Sequence, residues 1–387
     1  MVRAKRRFLG AGIVGTVTLS AFLALPAFSN LKYPPPHSSR TAQEVLRKSM
    51  NRLFSVNIRA IITQRDPALD GGYQRVKIER AKDGRVHCVI LQPLSVQGVE
   101  SMDDGTRYRV FLPDQKMVID QDSTLKIPCD ADDRVVLAQR NYSLKFSDSH
   151  TIAGRPTWCV LANPKHDGLD TRKYFIDQQT FYPLRMETVG QEGEVRVNFD
   201  TKDIQYLDEL SESTFVKSPV GAVTTIRYDR PPTFLSKAKA KSLMGFVPIV
   251  PTDLPMGFKL QEMQLNKTSQ WKSLVIRLTD GLVKATVYQW IPSEDSGEVS
   301  SLEDSTTIDV RGLRLMLVSD IREPVRKQML EAFIANAETE NVWMRSLGNL
   351  TPSKGIFQDN SYEDLSKWEL NPSPRLFTQK ESTNLSK

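Results

Sequence analysis

Histidine and cysteine are scarce in this chain, and the scarcity narrows its chemistry. Four histidines (His37, His87, His150 and His166) and three cysteines (Cys88, Cys129 and Cys159) are spread over 387 residues. No paired-cysteine zinc spacing, HExxH, GxSxG or P-loop occurs, so the usual sequence signatures of metal, nucleophile and phosphate chemistry are missing. His87 and Cys88 are neighbours in a strand-like run, which turns their side chains to opposite faces and away from a shared metal. His166 lies in a turn whose Asp167-Gly168 is accounted for by backbone geometry. His150 has Asp148 nearby but no nucleophile on a strained turn. The reading expects no catalysis, no cofactor and no metal.

Strong charge is also missing. The formal net charge of +6 includes four basic residues before position 29. Without Arg3, Lys5, Arg6 and Arg7 the 52 basic residues become 48 against 46 acidic ones, and a net charge of +2 argues against a nucleic-acid partner. The short basic run at 236–242 reads as a solvated hinge.

Only one long apolar run exists, from Phe8 to Phe28, and the four basic residues stand before it. Pro26 and the small residues Ala27 and Ser29 precede a polar start at Asn30. Residues 1–29 therefore read as a signal peptide directing the chain to the periplasm. Left uncleaved, a run of this length would serve as an inner-membrane anchor. Gly10, Gly12 and Gly15 spell GxGxxG inside this segment, but no carboxylate precedes Glu44, so the dinucleotide reading fails. In an exported chain a disulfide is open to Cys88 and Cys159, both in strand-like runs; three buried reduced thiols fit equally well.

Past a proline-rich spacer (30–40), Thr41-Ala-Gln-Glu44 has the form of a capping box. Val45, Leu46, Met50, Leu53 and Phe54 then recur at helical spacing over about 14 residues. Strand signals follow at 72–80, 85–92, 108–112, 117–119, 143–152, 156–163, 172–177, 183–189 and 194–200. One helix and roughly eight to ten antiparallel strands over 41–210 imply a large curved sheet, an open half-barrel with the helix packed on it. A linker is expected at 211–245, where Pro231-Pro232 interrupts a polar stretch. A smaller α+β unit is expected over 246–339, its strands joined by turns at Asp280-Gly281 and Arg311-Gly312 and closed by a helix from Pro324. Residues 340–387 read as a flexible tail.

The concave side of such a sheet suits an apolar ligand, and the candidate groove residues are Val89, Leu91, Val110, Leu112, Met117, Ile119, Trp158 and Val160. Register decides which face they line. For protein contact the candidates are Tyr288, Trp290 and the helix residues Val325, Met329 and Phe333.

Particular stretches add a resemblance. Asn141-Tyr-Ser-Leu, Ile152-Ala-Gly-Arg155, Asn163-Pro-Lys165, Tyr174-Phe-Ile-Asp177 and Tyr182-Pro-Leu-Arg-Met186 follow the order of the lipoprotein-carrier-like domain. Leu254-Pro-Met-Gly-Phe258, Leu278-Thr-Asp-Gly-Leu282 and Gly312 to Ser319 resemble the C-terminal domain of MucB/RseB proteins, although Leu278-Thr279 departs from the family's usual pair. Together the two similarities cover about 40–340. The resemblance implies a periplasmic regulator of an envelope-stress sigma factor. Such a protein binds the periplasmic part of a membrane anti-sigma factor and shields it from proteolysis, until lipid or lipopolysaccharide releases it. The alternative is a periplasmic lipid or lipoprotein carrier built on the same sheet.

Overall fold

The computed structural model describes residues 40–52, 56–67, 69, 71–123, 131–148, 150–216, 224–228, 233–234, 236–267, 272–292 and 304–339. The segment read as a signal peptide, most of the spacer, Cys129, residues 293–303 of the acidic loop and the tail after 340 lie outside the described residues.

Helix α1 (Ala42–Arg52) begins as its sequence requires. The Thr41 amide donates to the Glu44 carboxylate at 2.9 Å, and the Glu44 amide donates to Thr41 Oγ1 at 3.2 Å. Val45 and Leu46 form its buried stripe. Strands β1 (Asn57–Arg65), β2 (Tyr73–Arg80), β3 (Val86–Gln92), β4 (Glu100–Asp103), β5 (Arg107–Leu112) and β6 (Met117–Asp122) follow as an antiparallel meander. After helix α2 (Ala131–Asn141) come β7 (Tyr142–Ser147), the short β8 (Thr151–Ile152), β9 (Arg155–Pro164), β10 (Thr171–Asp177), β11 (Pro183–Val189) and β12 (Val195–Leu207). Pairing of β1 with β12 joins the two meanders, and β13 (Thr224–Tyr228) adds in parallel to β6. The result is one sheet of 13 strands, open at β13 and β7.

Register shifts interrupt the pairing of β1 with β12, β2 with β3, β10 with β11 and β11 with β12. Each extra residue bends its strand, so the sheet is curved rather than flat. Strand alternation then sorts side chains onto two faces. The inner face carries Ile58, Ile62, Val76, Ile78, Cys88, Ile90, Val110 and Ile119 in one apolar cluster. A second cluster lies beneath α1, with Tyr142, Trp158, Val160, Tyr174, Ile176 and Phe181. The outer face is polar. Arg59 Nε donates to Glu79 at 2.8 Å, and His87 sits between Glu79 (3.4 Å) and Glu100 (3.1 Å).

The second domain has β14 (Thr233–Phe234), α3 (Lys237–Met244), β15 (Lys259–Lys267), β16 (Lys272–Thr279), β17 (Lys284–Trp290), β18 (Ser305–Val310), β19 (Leu313–Val318) and α4 (Glu323–Thr339). Its six strands run β14-β15-β16-β17-β19-β18. Both helices pack into one core, through Ala240 and Met244 of α3 and Val325, Met329, Leu330 and Phe333 of α4. The run read as a solvated hinge is thus a helix. Ser236 caps it by accepting from the Lys239 amide, and its lysines project outward while Ala240 faces in.

Candidate functional site

The sequence-derived groove residues divide between the faces. Val110, Leu112 and Ile119 are buried in the inner cluster with Met117 packed against it, and Trp158 and Val160 lie under α1. Val89 and Leu91 do not join them. On β3 the inner positions are Val86, Cys88 and Ile90, so Val89 and Leu91 point to the outer face, where Val89 stands opposite Lys77 and Glu100. An unbroken apolar run does not declare its parity, and that is the source of the difference.

The partner-contact candidates are also relocated. Val325, Met329 and Phe333 are inside the second core, Trp290 is 3% exposed and Tyr288 is partly covered. The stripe on α4 is apolar as expected, but it is satisfied by the domain's own core. Nor do Cys88 and Cys159 pair. Both are free and buried, Cys88 on the inner face of β3 and Cys159 on the outer face of β9, with β2, β1, β12, β11 and β10 between them. Burial pushes the Cys88 thiol up to about 12 and the Cys159 thiol up to about 11, far from the reactive thiolate range. Among the described residues no group of three or more His, Cys, Asp or Glu could hold a metal ion, and no helix is long and apolar enough to cross a membrane.

What the structure does bring together is three of the stretches that carry the resemblance, those holding Asn141-Tyr142, Gly257 and Asp280. They meet at the seam between the domains. Asn141 Nδ2 donates to the carbonyls of Asp280 (2.8 Å) and Gly257 (3.2 Å), while its Oδ1 faces His166 Nε2 at 3.0 Å. The Tyr142 hydroxyl donates to Asp280 Oδ2 at 2.6 Å. Asp280 also closes its own turn by accepting from the amides of Leu282 (2.8 Å) and Val283 (2.7 Å). Gly281 has φ +103°, and a Cβ there would stand 2.4 Å from the Ala138 amide nitrogen and 2.6 Å from the Arg134 carbonyl. Glycine is required twice over at this position, for the turn and for the approach to α2.

Further along the seam the contacts become ionic. Arg172, 3% exposed on β10, donates twice to the Asp320 carboxylate, once at 3.1 Å and once more closely. Asn198 donates to the same carboxylate at 3.2 Å, and Arg322 pairs with Asp170 at 2.9 Å. Arg65 of β1 pairs with Asp304 beside β18. Burial raises Asp280 above the usual carboxylate range despite the Tyr142 bond. Burial acts on Asp320 in the same sense, yet the Arg172 guanidinium overrides it and holds Asp320 below that range. Seam residues escaped the sequence reading because Asp280-Gly281 is fully explained as a local turn; its long-range role leaves no periodicity.

Residues 68–219 match the family model described as the MucB/RseB N-terminal domain. The chain carries a MucB/RseB domain. Solved structures extend the likeness past that segment. The crystal structure of MucB aligns with TM-score 0.52 at 13% identity, covering 75% of this chain and 96% of that one. MucB in complex with MucA(peri) gives 0.50 at 14% identity over 74% and 96%. The Pseudomonas aeruginosa MucA/MucB complex gives 0.51 at 15% identity with the same coverage. At such identities the likeness is one of fold, and its coverage is nearly twice that of the 68–219 segment. No curated protein sequence matches the chain.

Proposed function

We propose that this protein is an extracytoplasmic negative regulator of an envelope-stress sigma factor. It binds the periplasmic part of a membrane anti-sigma factor and releases it in response to lipid or lipopolysaccharide. The observation that carries this reading is the MucB/RseB domain at 68–219, set in a two-domain fold like that of MucB, a protein solved with MucA(peri). The inner sheet face, with Val110, Leu112, Met117, Ile119, Trp158 and Val160, is the apolar side on which the lipid acts. The role is binding rather than catalysis, and the work is done by linkage. Two ligands that favour different arrangements of the same domains weaken one another by equal factors.

The buried state of Val325, Met329 and Phe333 moves the expected partner contact away from the α4 stripe and toward the domain seam, where groups of both domains are presented together. Immobilised anti-sigma periplasmic fragment should retain the exported chain, and a lipid A-like ligand should release it. Absence of retention overturns the regulator reading. Lipid binding without retention would favour the carrier.

A further inference from the structure

Two hairpin turns, one in each domain, carry the same tripeptide. Asp167-Gly168-Leu169 links β9 to β10, and Asp280-Gly281-Leu282 links β16 to β17. Each turn hands its leucine to the other domain. Leu169 is 4% exposed within the second domain's core, while Leu282 packs against the cluster beneath α1 in the first. Asp-Gly is explained by turn geometry, but a leucine exchanged across the boundary in both directions is not.

The two insertions differ in depth. Leu169 is buried in the second domain's core, Gly168 lies against Val325, and the turn is tied down by Arg322, which donates to the Gly168 carbonyl and forms an ion pair with the Asp170 carboxylate. Leu282 is only partly buried, and the Asp280 side chain is held by a tyrosine hydroxyl and turn amides. The cluster it enters has a basic rim. Arg40 lies 5.1 Å from the Phe181 ring centre and 5.7 Å from that of Trp158, and Lys48 lies 4.9 Å from Phe181. An apolar interior with cations at its edge suits one chemical class, an acyl chain with an anionic headgroup.

We propose that the Asp280-Gly281-Leu282 turn is a displaceable plug. Leu282 occupies part of the apolar cluster under α1, and an anionic lipid's acyl chain entering that cluster replaces it and opens the seam at that end. The transmission is steric. Helix α2 touches α1 on one side and receives the bare Gly281 backbone on the other, so no slack exists for α2 to shift while the turn stays seated. The Arg172–Asp320 end remains as the hinge. This rests on reading the inner face as a lipid site and supplies that site's regulation.

The test uses N-phenylnaphthylamine as an apolar fluorescent probe, with lauroyl lysophosphatidylglycerol as the competing anionic lipid. Leu282→Ala empties the plug, and Gly281→Val drives a side chain into the α2 backbone. Both should bind the probe about tenfold more tightly than the unaltered chain, the gain expected when a state populated about one tenth of the time becomes dominant. The lysolipid should compete with the probe, and Gly281→Val should also enlarge the radius of gyration in X-ray scattering. Circular dichroism checks folding; should Gly281→Val fail to fold, Leu282→Ala decides alone. Probe affinity unchanged in Leu282→Ala, or an expanded Gly281→Val chain with no gain in probe affinity, overturns the plug. Neither readout involves the anti-sigma fragment. Retention of that fragment with no probe gain therefore sinks the plug alone, and probe gain with no retention sinks the regulator reading.

Discussion

The two ends of the domain seam both place an aspartate of the second domain against the first, yet they are wired in opposite ways. Asp280 faces a tyrosine hydroxyl and the amides of its own turn, and burial pushes its carboxyl upward. Asp320 faces Arg172, with Asn198 and Arg196 beside it, and is held below the usual carboxylate range. The ionised form of Asp280 is therefore strained by its site, whereas that of Asp320 is stabilised by its own. One end is suited to release and the other to permanence. A hinge and a latch need that asymmetry, and a rigid joint would not.

The sharpest way to break the comparison is to remove the cation at the hinge. Arg172→Ala leaves Asp320 without its main partner, and loss of one member of a buried pair costs about 3–5 kcal/mol. Denaturant unfolding should show that loss, and a change under about 1 kcal/mol would place the pair among the weak surface type. At the latch, Tyr142→Phe removes a hydrogen bond to a buried carboxylate. The expected loss is about 1.5–3 kcal/mol, smaller than at the hinge and read in the same experiment.

Acidity should separate the ends by sign. A carboxyl raised in the folded state penalises that state when ionised, so protonation of Asp280 below neutrality relieves the seam. A carboxyl lowered in the folded state contributes stability above its unfolded pKa. Asp320, and Glu79 on the outer face, lose that contribution as pH falls through their depressed values. Stability measured against pH should hold or rise from neutrality into mild acid and then fall below the ordinary carboxylate range. Asp280→Asn should shrink the first limb only, leaving the part due to Asp103 and Asp170, whose carboxyls burial also raises. The smallest expected effect concerns the thiols. Reductant should leave the unfolding midpoint of a Cys129→Ser chain unchanged, and a linked Cys88–Cys159 peptide in its non-reduced digest would contradict the opposite-face placement.

Local features of the fold were legible and long-range ones were not. The Thr41–Glu44 box, the turn at 113–116, the strand at 183–189 and the helix from Pro324 follow from hydrogen-bonding groups and periods contained within a few residues. Strand β1 buries Ile58, Ala60 and Ile62 in alternation, but Ile61 between the last two makes the run nearly continuous and blurs its period. Helix α2 was harder. Of its described side chains only Val135, Ala138 and Asn141 are well buried, and Asn141 is spent on a turn more than 130 residues away. Contacts such as Tyr142 to Asp280 join segments 138 residues apart, so neither segment's spacing announces them. The repeated Asp-Gly-Leu was the one available signal. Its meaning depends on each leucine being spent on the other domain, and that is visible only in three dimensions.

Hydrogen exchange at the seam during lipid titration tests the account most directly. As lauroyl lysophosphatidylglycerol is added, amides of α2 and of residues 279–283 should lose protection together, while amides of β10 and β12 near Arg172 and Asn198 keep theirs. Protection lost under α1 with the 279–283 turn unchanged would contradict the claim that occupancy of the sheet is transmitted to the seam.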